Sequence, residues 1–438
     1  MAQQPQHGVT LPPTELSTLA ELEGLLQEHD YLSAGEAIPV LGKDRFDSHE
    51  GKIACYAQNN TVVALSMRHC GLTALPESLG RLRNLQHVDV TGNQLTTLPE
   101  ALRNLLHLKK LAVDDNQLTS LPTWLGDLLH LEDLHVDRNR LVALPESIGQ
   151  LANLTTLNAY GNTLISIPVG LSQLTRLKEV SVGHNQLTDL PEAFWQLRHL
   201  QSLNIAENRF ASVPEGIGDL TQLHTLDLGH NELTTLPEAL GKLTHLTFFL
   251  YLHNNRLTAL PETLFEHMRN LRYLNISDNH LTSLPETMGN LTHLAELRLY
   301  NNQVTALPES LGKLAHLKEL HAMNNELVAL PETLGNLKSL KELHVRNNSL
   351  ASLPTSLGKL AHLTHLDLRN NGLTALPESL GGLSSLTHLD LRANKLMTLP
   401  TCIGDLTQLE KLDLRWNKLS SVPAWFRRLE ERGCTVYI

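Results

Sequence analysis

Cysteine is scarce in this chain, with four residues in 438: Cys55, Cys70, Cys402 and Cys434. They lie far apart and lack the paired spacing of disulfide-closed caps or zinc sites. Long apolar runs are missing too, and none approaches the about 18 residues that a membrane-spanning helix needs. The N-terminal segment MAQQPQHGVTLPP has no apolar core or cleavage site of a secretory signal. We therefore expect reduced thiols, no membrane insertion and a cytoplasmic location.

Catalytic motifs are also missing. The recurring Leu-Gly-Lys is never followed by Ser or Thr in a phosphate-loop frame, and no G-x-S-x-G, H-E-x-x-H or kinase motif set occurs. The net charge of −11 opposes general binding to nucleic acid or anionic membranes. We expect a protein that is not an enzyme, needs no cofactor or metal, and has another protein as its partner.

What the chain has in abundance is one repeated unit, L-x-x-L-x-L-x-x-N-x-L-x-x-L-P-x-x-L-G-x-L. It recurs every 23 residues, with two steps of 24, in 16 copies. A fixed period of this length indicates a solenoid. Cys70 holds the asparagine position of the first copy, and the other copies carry Asn93, Asn116, Asn139, Asn162, Asn185, Asn208, Asn231, Asn255, Asn279, Asn302, Asn325, Asn348, Asn371, Asn394 and Asn417.

Each unit predicts one short strand. Leu343 and Val345 are two apart and share one face, while Glu342, His344 and Arg346 share the other. A single strand buries nothing, but stacked units form a parallel sheet over a continuous leucine core. The asparagine amide has a donor and an acceptor, so it is predicted to satisfy the bend after each strand from inside. Proline then ends the strand, and L-G-x-L is predicted to return as a short helix or 3₁₀ turn on the convex side of a horseshoe.

These motifs resemble those of intracellular leucine-rich-repeat proteins, and the LPxxLGxLxxL half is similar to the Ras-suppressor and Scribble type of repeat. The resemblance covers roughly residues 62 to 430. It implies an α/β leucine-rich-repeat solenoid with a concave parallel sheet, acting as an interaction scaffold in signalling. The predicted organisation is a disordered tail (1–13), an N-terminal helical and hairpin cap (14–61), sixteen repeats (62–423) and a C-terminal cap (424–438).

The N-terminal cap is predicted from local patterns. Thr14 to Glu28 has helical apolar spacing with Thr14 as its N-cap, and it covers the open end of the leucine core or binds a partner. Residues 31–50 are predicted to be a loop, and 52–58 a strand that turns at Asn59-Asn60 into the first repeat strand.

The two 24-residue steps predict local changes. Near residues 246–250 two registers compete, and the later asparagine favours Leu250 and Leu252 facing inward. The second insertion, in ETLFEHMRNL, predicts a longer outer helix. At the C-terminus, residues 424–432 are predicted to form a helix ended by Gly433, with Trp425 and Phe426 as a cap or an interface.

The open face of the sheet, opposite the leucine core, is the predicted binding surface. Its central repeats carry tyrosines and its last repeats an arginine column, residue types enriched in interfaces. The alternatives are that the tyrosines are ordinary sheet surface, that the arginines neutralise neighbouring aspartates, and that His321, His344 and His365 form a metal or pH-sensing site. The candidate residues are Tyr160, Tyr251, Tyr273, Arg298, Tyr300, His321, Met323, His344, Arg346, Arg369, Arg392 and Arg415.

The predicted function is a non-catalytic scaffold that binds a partner protein through its concave face, as a monomer. Two other functions stay open: an exported effector that binds a host protein, and a regulatory subunit of a phosphatase or ubiquitin ligase. The V-x-F docking motif of some such subunits does not occur between residues 1 and 60.

Overall fold

A computed structural model describes residues 10–47 and 52–438. The chain forms two compact units, the first ending at Arg209 and the second beginning at Phe210. Residues 1–9, which make up most of the predicted tail, lie outside the described residues, as do residues 48–50 of the predicted loop and residue 51 after it. Each unit is a stack of leucine-rich repeats, so the predicted α/β solenoid is confirmed within each.

The repeat strands are short and pair in parallel within each unit. The strands of the first unit are β1 (Val40–Leu41), β2 (Ile53–Gln58), β3 (Thr61–Met67), β4 (His87–Asp89), β5 (Lys110–Ala112), β6 (Asp133–His135), β7 (Thr156–Asn158), β8 (Glu179–Ser181) and β9 (Ser202–Asn204). Those of the second unit are β10 (Thr225–Asp227), β11 (Phe249–Tyr251), β12 (Tyr273–Asn275), β13 (Glu296–Arg298), β14 (Glu319–His321), β15 (Glu342–His344), β16 (His365–Asp367), β17 (His388–Asp390), β18 (Lys411–Asp413) and β19 (Thr435–Tyr437).

Helical structure is sparse. The α-helices are α1 (Pro13–Glu28), α2 (Lys43–Asp47) and α3 (Phe426–Glu431). The outer segments are five-residue 3₁₀ helices: Glu77–Arg81, Glu100–Asn104, Thr123–Asp127, Glu146–Gln150, Val169–Gln173, Glu192–Gln196, Glu215–Asp219, Glu238–Lys242, Glu286–Asn290, Glu309–Lys313, Glu332–Asn336, Thr355–Lys359, Glu378–Gly382 and Thr401–Asp405. Each begins directly after the repeat proline, whose missing N–H and fixed φ suit the residue before a helix.

The helix α1 forms where the spacing predicts it, but Thr14 is not its N-cap. The helix begins at Pro13, and no side chain caps it, because its N-cap residue is Pro12, whose side chain has no hydrogen-bond acceptor. Leu19, Leu22 and Leu26 are fully buried. Glu15 is also buried, and it accepts a hydrogen bond of 2.8 Å from the Val62 N–H, which ties the helix to the first repeat strand.

The predicted hairpin is present, since β2 and β3 pair antiparallel. Asn59 and Asn60 both have positive φ, of 50° and 59°, as a tight hairpin turn requires. The predicted loop at 31–50 was too simple, because it contains α2 and the short strand β1, which pairs in parallel with β2.

The leucine register follows the period-two rule throughout. At the first insertion, Leu246, Leu250 and Leu252 are all fully buried, and Phe249 pairs with Thr225. The predicted register is therefore confirmed, and the added residue is accommodated between Leu246 and Leu250 without moving any leucine to the open face.

The second insertion does not lengthen the outer helix, so that prediction was wrong. Residues 262–267 form turns, with Leu264 N–H bonded to the Pro261 carbonyl. One added residue supplies only about a third of a 3₁₀ turn, which is too little to extend a helix. Phe265 and Met268 instead fill the core, both with no exposed surface.

Buried asparagines form the predicted ladder. The Asn302 amide nitrogen donates to the carbonyls of Ile276, Leu299 and Tyr300 at 3.0, 3.1 and 3.3 Å. Its amide oxygen accepts from the Leu281 N–H of the previous repeat at 3.0 Å. Each asparagine therefore closes its own bend and joins two repeats, and the same pattern recurs along both units.

The residue before each ladder asparagine has a left-handed backbone conformation, which was not predicted from the sequence. In every described repeat this position has a φ between 49° and 74°, whether the residue is Gly or not. Asn, Asp and Gly tolerate this conformation best, and they fill about half of the positions. The recurring dipeptides Asn-Asn, Asp-Asn and Gly-Asn before the bend could have indicated this left-handed conformation.

Glycine in L-G-x-L permits the outer turns to stack closely. A Cβ added to Gly335 would lie 2.3 Å from the carbonyl oxygen of Ser356 in the next repeat. The spacing of the outer layer therefore depends on a missing side chain.

The C-terminus ends the second unit much as predicted. The helix α3 is shorter than expected, but Gly433 follows it with φ 88°, as a left-handed cap residue. Trp425 and Phe426 are buried, and β19 pairs with β18.

We predict that Asn302→Ala lowers the free energy of unfolding by about 3 kcal/mol, because buried groups left unsatisfied cost about 1–3 kcal/mol each. Urea unfolding followed by circular dichroism measures the loss. The matched control is Gln303→Ala, one residue away and exposed, which we expect to change stability by under about 0.5 kcal/mol. Equal effects of the two substitutions would contradict a stabilising ladder.

Candidate protein-binding face

Aromatic side chains meet on two strands of the second unit. Phe249 and Tyr251 of β11 stack with ring centroids 5.6 Å apart. Tyr273 of β12 lies 5.2 Å from Tyr251 and 5.7 Å from Phe249. The Arg298 guanidinium lies 5.6 Å from the centre of the Tyr273 ring. We call Phe249, Tyr251 and Tyr273 the aromatic patch.

Phe249 was absent from the predicted site residues, although the predicted register already placed it on the open face. It is 40% exposed, and its neighbour Phe248, at the first insertion, is 49% exposed. The insertion thus puts two phenylalanines where other repeats carry polar residues.

The phenols of Tyr251 and Tyr273 in the patch have raised pKa values. Burial raises the pKa of Tyr273 to about 12, against the smaller lowering effect of Arg298. Burial also raises the pKa of Tyr251. Both rings therefore stay uncharged over the physiological range, which favours contact with a partner surface.

Three predicted residues stand apart from this patch. Tyr300 is half-buried, and within the described residues its ring is in contact with no other aromatic ring. Met323 is likewise half-buried on its own strand end. Tyr160 belongs to the first unit, where it stacks on His184 at 5.6 Å and donates a 2.7 Å hydrogen bond to Glu207.

The predicted histidine trio does not form one cluster: two of its members pair with each other, and the third pairs with His388. His321 and His344 stack in parallel at 4.9 Å, and each has a ring nitrogen about 3 Å from the glutamate two residues before it. His365 stacks instead on His388, at 4.5 Å. The trio separates because the first two occupy the column four residues before the ladder and the other two the column six residues before it.

One group in the described part of the chain brings three metal-ligand atoms together: those of Glu296, Glu319 and His321, all within 4.8 Å of one another. Burial lowers the pKa of His321, which keeps its ring a neutral ligand. Arg298 Nε already donates to Glu296 at 2.5 Å. A cation there would have to compete with that guanidinium.

The arginine column is largely neutralised by aspartates. Arg369, Arg392 and Arg415 each bond the aspartate two residues earlier on the same strand, at 2.9, 2.7 and 2.6 Å. Arg369 and Arg392 also approach the aspartate of the next strand, at 3.3 and 3.4 Å. Arg346 differs, since its Nε is buried with no hydrogen-bond partner.

Acidic residues collect in the first unit. Asp114 accepts a 2.6 Å hydrogen bond from the Asp137 N–H, and Asp137 accepts one of 2.7 Å from the Tyr160 N–H. Burial, together with the Asp114 charge, raises the pKa of Asp137 to about 6. Asp115 forms a two-point ion pair with Arg138 at 2.5 and 2.8 Å, which lowers the pKa of Asp115.

The family model of the leucine-rich repeat region matches residues 100–190, 184–271, 265–353 and 347–431, and a further leucine-rich-repeat model matches 84–105. The chain is a leucine-rich-repeat protein. Both matching models describe the repeat, and neither describes a catalytic family.

Among solved structures, the chain is similar to a leucine-rich-repeat protein of Leptospira interrogans, with 37% identity, TM-score 0.78, and coverage of 85% of this chain and 94% of that one. It is 26% identical to a plant peptide hormone receptor solved with RGF2, with TM-score 0.67 and coverage of 85% and 68%. It is 27% identical to YopM, an effector of Yersinia pestis, with TM-score 0.61 and coverage of 92% and 99%.

A search of curated protein sequences returned no match. In the described residues, no helix of this leucine-rich-repeat protein has the length and apolar character needed to cross a membrane.

We predict that Asp137→Asn stabilises the protein by about 1–3 kcal/mol at pH 7.5 and that the gain disappears towards pH 4. The folded carboxyl has a pKa of about 6 against an ordinary value of 3.8. The folded state therefore binds the proton more tightly, and wild-type stability falls as pH rises between these values. Urea unfolding at pH 4, 5, 6 and 7.5 measures the difference.

The matched control is Asp115→Asn, for which we expect the opposite sign. The ion pair with Arg138 lowers the pKa of Asp115, so its stabilisation is present above about pH 4 and is lost as pH falls through the folded pKa. Asp115→Asn should therefore destabilise at pH 7.5. Parallel pH profiles for both variants would refute this assignment of charge.

Proposed function

We propose that this protein binds a partner protein through the open face of its second unit, with the aromatic patch at the centre of the contact, and that it catalyses no reaction. The observation that carries the proposal is the cluster of three mutually contacting rings on adjacent strands, one of them 40% exposed. Leucines already fill the core beneath it, so these rings do not serve the packing of the repeat.

The chemistry of the patch fits a protein surface. Tyrosine buries much apolar area with little loss of side-chain freedom and keeps a hydroxyl for a hydrogen bond, which is why it is enriched in interface cores. The Arg298 guanidinium over Tyr273 adds a cation that still has donors to offer. Towards β14 and β15, the stacked pair of His321 and His344 supplies polar groups for the rim of the proposed contact.

The similar structures support a binding role. The plant receptor was solved in complex with RGF2, and YopM is described as an effector. Carried to this chain, these likenesses favour recognition of a polypeptide over chemistry. The remaining predicted residues, including Tyr300, Met323 and the arginine column, extend the proposed surface beyond the patch.

We place this binding in the cytoplasm, in a signalling context, because all four cysteines are free and a reducing compartment maintains that state. An exported effector is the second candidate, favoured by the likeness to YopM. A secretion assay with residues 1–50 deleted separates the two. A regulatory subunit of a phosphatase or ligase is a narrower form of the first.

We predict that the double variant Tyr251→Ala and Tyr273→Ala weakens binding of the captured partner at least about tenfold, since removal of interface hot spots costs about 2 kcal/mol or more. Partners captured by the wild type are identified first, and their affinity for purified variants is then measured by calorimetry.

The control variant is Val328→Ala with Met397→Ala, which removes apolar side chains that are each 59% exposed outside the patch. We expect less than about a twofold change from it. Both variants must first show the wild-type melting curve. Equal affinity of the patch variant and the wild type for every captured partner would exclude the patch as the binding centre.

A further inference from the structure

A second column of amides runs along the open edge of the last repeats. Asn324 donates to Asn301, Asn347 to Asn324 and Asn370 to Asn347, at 2.5, 2.5 and 2.9 Å. The chain of hydrogen bonds stops at Asn370, because the next position is Ala393. The one after that is Trp416. Two successive repeats therefore lack asparagine at this position.

Both replacements adopt the backbone conformation that asparagine tolerates better. Ala393 has φ 52° and Trp416 has φ 63°, in the left-handed region where a bulky residue is an outlier. The repeat imposes this conformation at the same position of every copy, so Ala393 and Trp416 adopt it without the tolerance that asparagine has. Trp416 is also 71% exposed, whereas Trp124, Trp195 and Trp425 are all under 9%.

The arginines beside this gap carry one uncompensated charge. The column from Arg346 to Arg415 holds four arginines. The position two residues before each arginine supplies only three aspartates, Asp367, Asp390 and Asp413. The missing one is on β15, where His344 stands at the aspartate position and hydrogen-bonds to Glu342 instead. Arg346 therefore keeps a buried Nε without a partner.

These features line one pocket of about 180 Å³, bordered by Arg346, Arg369, Arg392, Asn370, Ala393 and Trp416. The side chain missing at Ala393 leaves space between the amide chain and the indole. The pocket thus combines an arginine without an ion-pair partner among the described residues, whose Nε is unpaired, at one end with an exposed aromatic ring at the other.

We propose that this pocket binds an extended polypeptide segment, with an Asp or Glu carboxylate on Arg346 and an apolar side chain against Trp416. Three strand spacings separate the two ends, about 14 Å, which an extended chain spans in about four residues. A guanidinium takes a carboxylate through charge-assisted hydrogen bonds. One free positive charge matches one carboxylate, whereas a nucleic acid strand would bring several negative charges towards aspartates.

This inference rests on the proposed function in one respect, that the open face receives a polypeptide. The pocket lies at the ends of β15 to β18, whereas the aromatic patch lies on β11 and β12. Its test uses a synthetic peptide, so its outcome does not depend on the partner captured by the patch.

The test is a titration of the full chain with acetyl-Asp-Ser-Gly-Ser-Leu-amide, whose only charge is the aspartate. Trp416 is the one exposed tryptophan of the four, so the change in tryptophan fluorescence reports on the pocket. We expect a saturable change, weakened about tenfold or more in Arg346→Gln and with the peptide that carries Asn in place of Asp. Arg256→Gln, at an exposed arginine paired with Glu232, should bind the peptide like the wild type.

A second variant separates binding from folding. Ala393→Asn restores the residue that suits positive φ and extends the amide chain into the pocket. We expect it to be at least as stable as the wild type and to bind the peptide at least about tenfold more weakly. Wild-type affinity of both Arg346→Gln and Ala393→Asn would overturn the proposal.

Two further results would also overturn it. One is no saturable response to the Asp peptide up to about ten millimolar, because a specific site for such a short segment should bind within that range. The other is equal binding of the Asp and Asn peptides with saturation by inorganic phosphate, which would show a pocket for free anions only.

Discussion

The rest of the structure depends on the hydrogen bonds of the buried asparagines. A solenoid strand of three residues must bend at once, and the bend leaves carbonyl and N–H groups inside the protein without partners. One amide satisfies three carbonyls of its own and the preceding repeat and one N–H of the preceding repeat, as at Asn302. The repeats can therefore stack at a strand spacing with these buried backbone groups hydrogen-bonded.

Because leucine and asparagine settle the fold, the open face is free to vary. Its residues point away from the core, and their replacement alters neither the leucine layers nor the amide ladder. The second unit uses this freedom in two places. Aromatic rings replace polar side chains on β11 and β12. In the arginine column, Arg346 lacks the aspartate that pairs with each of the later arginines. Departures from the repeat are therefore where binding is proposed.

Much of the fold was predictable because its causes are local and periodic. The inward positions of Leu250 and Leu252 followed from the period of two, and the ladder role of asparagine from its two hydrogen-bonding groups. The Thr14 cap failed because the neighbouring Pro13 is a stronger determinant of where a helix begins. The longer helix at residues 262–271 failed because Phe265 and Met268 were needed in the core, which depends on packing across repeats.

The candidate site was predictable only in part. Strand columns identified Tyr251, Tyr273 and the arginines as open-face residues, since direction alternates along a strand. Which arginine lacks an aspartate, and which histidines stack, depends on rotamers and on contacts between neighbouring strands. Phe249 could have been included from its register alone. The strain at Trp416 could not be predicted without knowing that the backbone is left-handed at this position in every repeat.

The most direct test of the central claim is site-specific photo-crosslinking across both faces of the second unit. A photoreactive phenylalanine analogue replaces Tyr251 or Tyr273 on the open face, and Thr333 or Ser379 on the outer turns, in cells that express the protein. The account predicts that the same partner is crosslinked from both open-face positions and not from the outer ones. A partner crosslinked only from the outer turns would contradict it.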